Sequence, residues 1–204
     1  MKNQNVTIHI VDDDPSMRKY LSNLVATINY KSKTYDNAND FLATFHDDGL
    51  GCLVLDLRLP GINGLELHQQ LAENNIDLPV IMISGFGDIS TAVKAMKAGA
   101  LDFLEKPFKG QELLDLIHNA ISKHKVDRKK NNSHNITLER INSLTKREKE
   151  VMGHVVTGML NKDIAKKLEI SVKTVEVHRA NVMEKMAVNS VADLVRMSID
   201  AKNL

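Results

Sequence analysis

Apolar residues in the first part of the chain fall in short runs separated by helical patterns. The runs at 6–11, 32–35, 52–55, 79–83 and 101–104 are largely continuous, as expected for strands buried on both faces. Between them, segments near 15–28, 37–45, 64–74 and 88–98 carry helical periodicity, and a further helix is expected over about 110–125. Strands alternating with helices predict a parallel sheet covered on both sides. Right-handed crossovers then give a doubly wound (βα)5 domain of the flavodoxin-like kind. In such a sheet, ligands bind beyond the carboxyl ends of the strands. Leu113, Leu114, Ile117 and Ile121 form a stripe on the last helix, and it is expected to face the core rather than a dimer seam.

From about residue 144 the strand pattern stops. Segments 145–157, 161–168, 172–187 and 190–201 are helical, with breaks at Gly158, at Ile170-Ser171 and near Asn189. Asn161 and Ser171 are expected N-caps. Four short helices make a compact all-α domain, small but large enough to fold alone. Residues 126–136, "VDRKKNNSHNI", are basic, Asn-rich and without apolar period, a linker or a frayed helix end. The expected division is therefore 1–125, a linker over 126–142, and 143–204.

Composition narrows the class. Hydrophobic residues make up 43% of the 204 and charged residues 26%, as in ordinary globular proteins. No apolar run nears the roughly 18 residues of a membrane span. The start, "MKNQNVTIHIVDDD", lacks a signal peptide's apolar block, so no membrane association is expected. One cysteine, Cys52, excludes an intrachain disulfide and a cysteine-rich zinc site, and it reads as an inert packed thiol in a cytoplasmic protein. The net charge of +1 divides unevenly: residues 1–125 carry 12 basic and 16 acidic side chains, and residues 126–204 carry 15 and 10. A small basic domain suits nucleic acid, although a solvated lysine face gives the same count.

The chemistry gathers at one sheet edge. Asp12, Asp13 and Asp14 follow the first strand, and Asp56 follows the third. Ser84 follows the fourth, and Lys106-Pro107 follows the fifth. Taken singly, these are an acidic turn, a Ser-Gly turn and a Lys-Pro loop. Taken together, they converge. Carboxylates held close together repel unless a cation joins them, and oxygen ligands suit Mg²⁺. A hydroxyl and an amine opposite the metal would bind a tetrahedral anion, which fits a phosphoryl group on Asp56. In the second domain, "NKDIAKKLEISVKTVEVHRANV" reads as helix, short turn, helix. Val172, Val175, Val182 and Met186 should face the core, while Lys173, Thr174, His178 and Arg179 point outwards. Such a helix suits the DNA major groove, and an ordinary solvated amphipathic helix has the same spacing. His154 is expected to be partly buried structure.

The motifs "IVDDD", "LVLDLRLPGINGLE", "VIMISGFGD" and "AGALDFLEKPF" resemble the receiver domain of two-component response regulators. "LTKREKEV", "NKDIAKKL" and "SVKTVEVHRANVMEKM" resemble the LuxR/FixJ/NarL-type helix-turn-helix, closest to the FixJ subgroup. The resemblance implies phosphorylation of Asp56 by a sensor histidine kinase, with Mg²⁺ held by Asp12, Asp13, Asp56 and the Arg58 carbonyl. Ser84 would be the switch hydroxyl, Lys106 the phosphate-pairing amine and Phe103 the switch aromatic. The Lys106-Pro107 bond would be cis, and Asp14 would cap a helix or lie outside the metal set. The DNA-contact residues implied are Thr174, Val175, His178 and Arg179 for base edges, and Lys162, Lys173 and Lys185 for phosphates. Glu176 stands where related domains often have lysine, and Leu160 replaces a frequent small polar residue, which puts that helix cap in question.

The resemblance further implies a homodimer on phosphorylation. Its contacts would be the fourth-helix and fifth-strand face around Val93, Met96, Lys97 and Phe103, together with the last helix through Val191, Leu194, Val195 and Arg196. Promoter DNA and RNA polymerase would be the partners, with activation rather than repression. Arg58 and Phe86 suggest a long-lived phosphoryl state, since neither activates water as a base. The chain is not expected to be an enzyme beyond slow loss of its own phosphoryl group. An aspartyl-phosphate phosphatase would need a second carboxylate where Arg58 stands. A phosphorylation-independent DNA-binding regulator is the alternative reading.

Overall fold

The computed structural model describes residues 6–47, 49–85 and 89–201. The chain divides into two compact units, Met1–Asp127 and Arg128–Leu204.

In the first unit, strands β1 (Val6–Val11), β2 (Lys31–Tyr35), β3 (Leu50–Asp56), β4 (Val80–Ser84) and β5 (Asp102–Glu105) form one parallel sheet in the order β2-β1-β3-β4-β5. Helices α1 (Pro15–Ala26), α2 (Ala38–Thr44), α3 (Gly64–Glu73), α4 (Ile89–Lys97) and α5 (Gly110–Ser143) are interleaved with the strands or follow them. All of β1 and β4 is buried, which is why their apolar runs are continuous rather than alternating. Side chains of opposite pleat feed two cores. Ile8, Ile10, Val54 and Ile81 join Leu113 and Ile117 of α5, while Leu53, Leu55 and Met82 join Phe41 and Leu67 of α2 and α3. Each such fully buried aliphatic contributes about 2 kcal/mol of transfer free energy. Edge strand β2, "KSKTY", is largely exposed, and its lysines discourage pairing with another chain. Cys52 is fully buried, and burial pushes its thiol up, out of reactive range.

The helix expected to end near 125 runs on to Ser143, so all of the residues read as a linker, 126–142, are helical. No Gly or Pro falls between 111 and 143, and from Ser122 to Asn135 the only apolar side chain is Val126, which hides this part of the helix from apolar periodicity. Leu113, Leu114, Ile117 and Ile121 are buried, as a core-facing stripe requires.

In the second unit, α6 (Lys146–Val156), α7 (Asn161–Leu168), α8 (Val172–Met186) and α9 (Val191–Asp200) enclose Val151, Ile164, Val175, Val182, Met186 and Leu194. Helix α6 opens with a capping box between Thr145 and Glu148. Ser171 caps α8 as expected, its hydroxyl accepting from the Thr174 amide at 3.0 Å. The cap of α7 is Leu160 rather than Asn161 and has no side-chain hydrogen bond, so Asn161 is the first helical residue. Among the described residues, no helix is long and apolar enough to cross a membrane.

Candidate functional site

Strand order reverses between β1 and β3, and this is where the acidic residues meet. Asp12, just past β1, is fully buried, and Asp56, the last residue of β3, is 6% exposed. The Lys106 amine, one residue past β5, lies 2.7 Å from Asp12 Oδ2 and 2.6 Å from Asp56 Oδ2. A carboxylate is therefore tolerated at the end of a buried strand because a cation from the other side of the sheet reaches it. Asp13 is exposed, and ligand oxygens of Asp12, Asp13 and Asp56 all lie within 4.8 Å of one another. That oxygen set suits a hard divalent cation.

The backbone braces the carboxylates. Asp12 Oδ1 accepts from the Asp14 amide at 2.9 Å, and Asp56 Oδ1 accepts from the Arg58 amide at 2.9 Å. Asp14 caps α1 by accepting from the Ser16 amide at 2.8 Å. The Arg18 guanidinium donates to the Asp12 carbonyl at 2.7 Å, a support that sequence reasoning did not anticipate. Ser84 ends β4 and is 1% exposed, and its carbonyl accepts from the Lys106 amide at 2.7 Å. The Lys106-Pro107 bond is cis. Burial raises the Asp12 carboxyl above its ordinary value, and the hydrogen bond from Lys106 offsets this only in part. Burial pulls Lys106 down, but its bonds to Asp12 and Asp56 outweigh that and hold it above the usual lysine value. Asp12 therefore moves up through burial despite the cation beside it, whereas Lys106 moves up because two carboxylates share it.

Gly64 was also not anticipated as a site residue. A Cβ there would sit 2.3 Å from the Asp56 carbonyl oxygen and 2.9 Å from Leu57 Cα. The amino end of α3 thus packs directly on the backbone that carries Asp56. The sequence signal for it was a glycine directly after the cap Asn63.

Phe103 is half-buried in β5, opposite Met82 of β4. Val93 and Met96 of α4 are 45% and 46% exposed, and Lys97 is exposed beside them. Phe86 lies outside the described residues.

In the second unit, Glu169 takes a left-handed conformation with φ of 56°, and this turns the chain from α7 into α8. Along α8, Lys173 and Glu176 are exposed, and Thr174 and His178 are partly exposed. His178 Nδ1 is buried without a hydrogen-bond partner. Lys162, near the start of α7, is exposed, and His154 is partly buried.

Three expectations fail here, and a fourth residue is found engaged within the domain. Val175 is fully buried in the core and cannot meet a base edge. Val172, expected in the core, is 44% exposed. Lys185, expected on phosphate, has a partner within the domain, donating to Glu148 Oε2 at 2.7 Å with its side chain 36% exposed. Leu194, expected at a dimer contact, is 1% exposed beneath α9. Apolar spacing alone does not fix which edge of a helical stripe is covered, and it carries no information on a lysine's partner. Arg179 is also engaged within the domain, donating to Asn161 Oδ1 at 2.9 Å.

Comparison with known proteins agrees with this geometry. The family described as "Response regulator receiver domain" matches residues 8–118, and "Bacterial regulatory proteins, luxR family" matches residues 142–198. The response regulator protein TmoT of Ectopseudomonas mendocina is 44% identical over 97% of this chain and 90% of its own length. The transcriptional regulatory protein FixJ of Rhizobium meliloti is 44% identical over 95% of both chains. Among solved structures, the response regulator StyR aligns with a TM-score of 0.87 and 40% identity, covering 96% of this chain and 98% of that one. Full-length FixJ from B. japonicum aligns with a TM-score of 0.60 and 38% identity, covering 99% and 100%.

Proposed function

Because the chain belongs to the two-component response regulators of the FixJ/NarL type, and so regulates transcription, we propose that its switch is a phosphoryl group on Asp56. The observation that carries this is the Lys106 amine held between Asp12 and Asp56 at the reversal of strand order. A sensor histidine kinase supplies the phosphoryl group. Asp56 attacks the phosphorus through a carboxylate oxygen, the P–N bond to the kinase's phosphohistidine breaks, and its imidazole leaves, while Lys106 turns from the carboxylate to the phosphoryl oxygens now on Asp56. Ser84, buried at the end of the neighbouring strand, donates its hydroxyl to the same group. Asp12, Asp13 and Asp56, with the Arg58 carbonyl, would hold Mg²⁺, which neutralises charge on the transferring group.

The added charge of about −1.5 to −2 draws Ser84 inwards and lets Phe103 follow. The face of Val93, Met96, Lys97 and Phe103 then repacks and pairs with a second copy. The DNA-binding domains use α8 as the recognition helix, with Thr174 and His178 at base edges and Lys162 and Lys173 on phosphates. Arg179 reaches a base edge only from its contact with Asn161. A dimer would read two half-sites, with Val191, Val195 and Arg196 of α9 at the contact. Promoter DNA and RNA polymerase are the partners, and activation is the outcome. The phosphoryl group is lost slowly, because the Arg58 side chain offers no base to water. The working division is a receiver domain over 1–125, a connecting segment over 126–142 and a DNA-binding domain over 143–204, in a cytoplasmic protein.

Incubation with a small phosphodonor and Mg²⁺ should add one phosphoryl group to the wild type and none to Asp56→Asn. Equal labelling of both would place the acceptor elsewhere.

A further inference from the structure

Helix α8 is held by more than its apolar core. Glu148 Oε2 accepts from the Thr145 amide at 2.8 Å, closing the capping box of α6. The same oxygen accepts from Lys185 Nζ at 2.7 Å, in the last turn of α8. A capping-box glutamate ordinarily lies at the surface, but Glu148 is only 3% exposed. One buried carboxylate thus joins the start of α6 to the end of α8. Two further ties act on α8: the Arg140 guanidinium donates to the Met186 carbonyl at 3.0 Å, and Arg179 donates to Asn161 Oδ1 at 2.9 Å. Beneath these lie Val175, Val182 and Met186. Apolar contact is non-directional and lets a helix slide or roll, whereas hydrogen bonds fix both motions.

We propose that Glu148 is a positioning residue for DNA reading: through Lys185 it sets the axial position and roll of α8, so that Thr174 and His178 meet the base edges. Lys185 is then an internal strut and not a phosphate contact. This rests on the reading of α8 as the recognition helix.

The test uses the full chain and two duplexes, one selected by the wild type from a random pool and one scrambled. Lys185→Met and Glu148→Gln should each lower the preference for the selected duplex, by roughly tenfold if one base pair's discrimination is lost. The double variant should lose no more than the worse single, because the strut is removed only once. The salt dependence should match wild type in all three, and Lys185→Arg should restore the preference. A phosphate contact at Lys185 predicts otherwise: Lys185→Met weakens both duplexes alike, the salt slope falls by about 0.9 per contact, and Glu148→Gln leaves binding intact. That pattern would overturn the proposal. Melting curves establish that each variant is folded. If Lys185→Met does not fold, Glu148→Gln still separates the two outcomes. Thr174→Ala and His178→Ala test the underlying reading separately. If both keep the full preference for the selected duplex, α8 does not read DNA, whatever the strut does.

Discussion

Replacing Lys106 with methionine removes the cation between Asp12 and Asp56 while keeping most of the side chain's length. At contacts of 2.7 Å and 2.6 Å, each carboxylate gains about 6 kcal/mol of attraction at an effective dielectric near 20. Desolvation offsets much of this, and deleting one partner of a buried pair costs about 3–5 kcal/mol net. The Lys106 side chain is 17% exposed, which places the loss near the lower end, about 3 kcal/mol. For a domain of this size, that lowers Tm by about 12 °C in metal-free buffer. Two measurements then identify the cause. Added Mg²⁺ should raise the variant's Tm more than the wild type's, because the amine no longer competes for the same carboxylates. Lowering the pH should also recover stability, since the Asp12 carboxyl, which burial already raises, takes up a proton once its cation is gone. Scanning calorimetry with and without Mg²⁺ is the assay. A variant that melts within about 1 °C of wild type, or a wild type that responds more to Mg²⁺, refutes the reasoning.

Gly64→Ala places a Cβ against the Asp56 carbonyl and Leu57 Cα, both backbone, so it should destabilise the first unit and slow phosphoryl uptake by a small phosphodonor. Wild-type uptake in that variant would show that the close approach is dispensable. Val175→Ala should cost about 2 kcal/mol in chemical denaturation with sequence preference unchanged among folded molecules, whereas altered preference would restore it as a base contact. Glu148 gives a pH signature: the hydrogen bonds from Lys185 and Thr145 hold its carboxyl at about 2, against an ordinary value of 4.5. A depressed carboxyl stabilises the fold above 4.5, and that contribution is lost as pH falls through 4.5 towards 2. The stability gap between wild type and Glu148→Gln should therefore close over that interval in acid melts, and a gap independent of pH contradicts it.

Much of this was legible in the sequence because local pattern and tertiary need coincide in the receiver. Continuous apolar strands have only one place to go, and a carboxylate, hydroxyl or amine directly after each must emerge at the same edge. Asp12, Asp56, Ser84 and Lys106 were found on that logic alone. What the sequence hid depends on partners distant in the chain. Whether Lys185 faces solvent or Glu148, 37 residues away, leaves no trace in periodicity. Arg18 and Gly64 act on backbone atoms, which every residue possesses, so nothing in their surroundings marks the contact. The length of α5 was missed for a different reason: from Ser122 to Asn135 it carries one apolar residue, Val126, and so has no hydrophobic period to detect there.

The most direct test follows solution mass and affinity for a selected DNA duplex, with and without a small phosphodonor plus Mg²⁺, in wild type and Asp56→Asn. The account predicts that the phosphodonor raises both the dimer fraction and the DNA affinity of wild type and neither property of the variant. Equal DNA binding by both proteins, with no response to the phosphodonor, would contradict it and leave a DNA-binding regulator that works without phosphorylation.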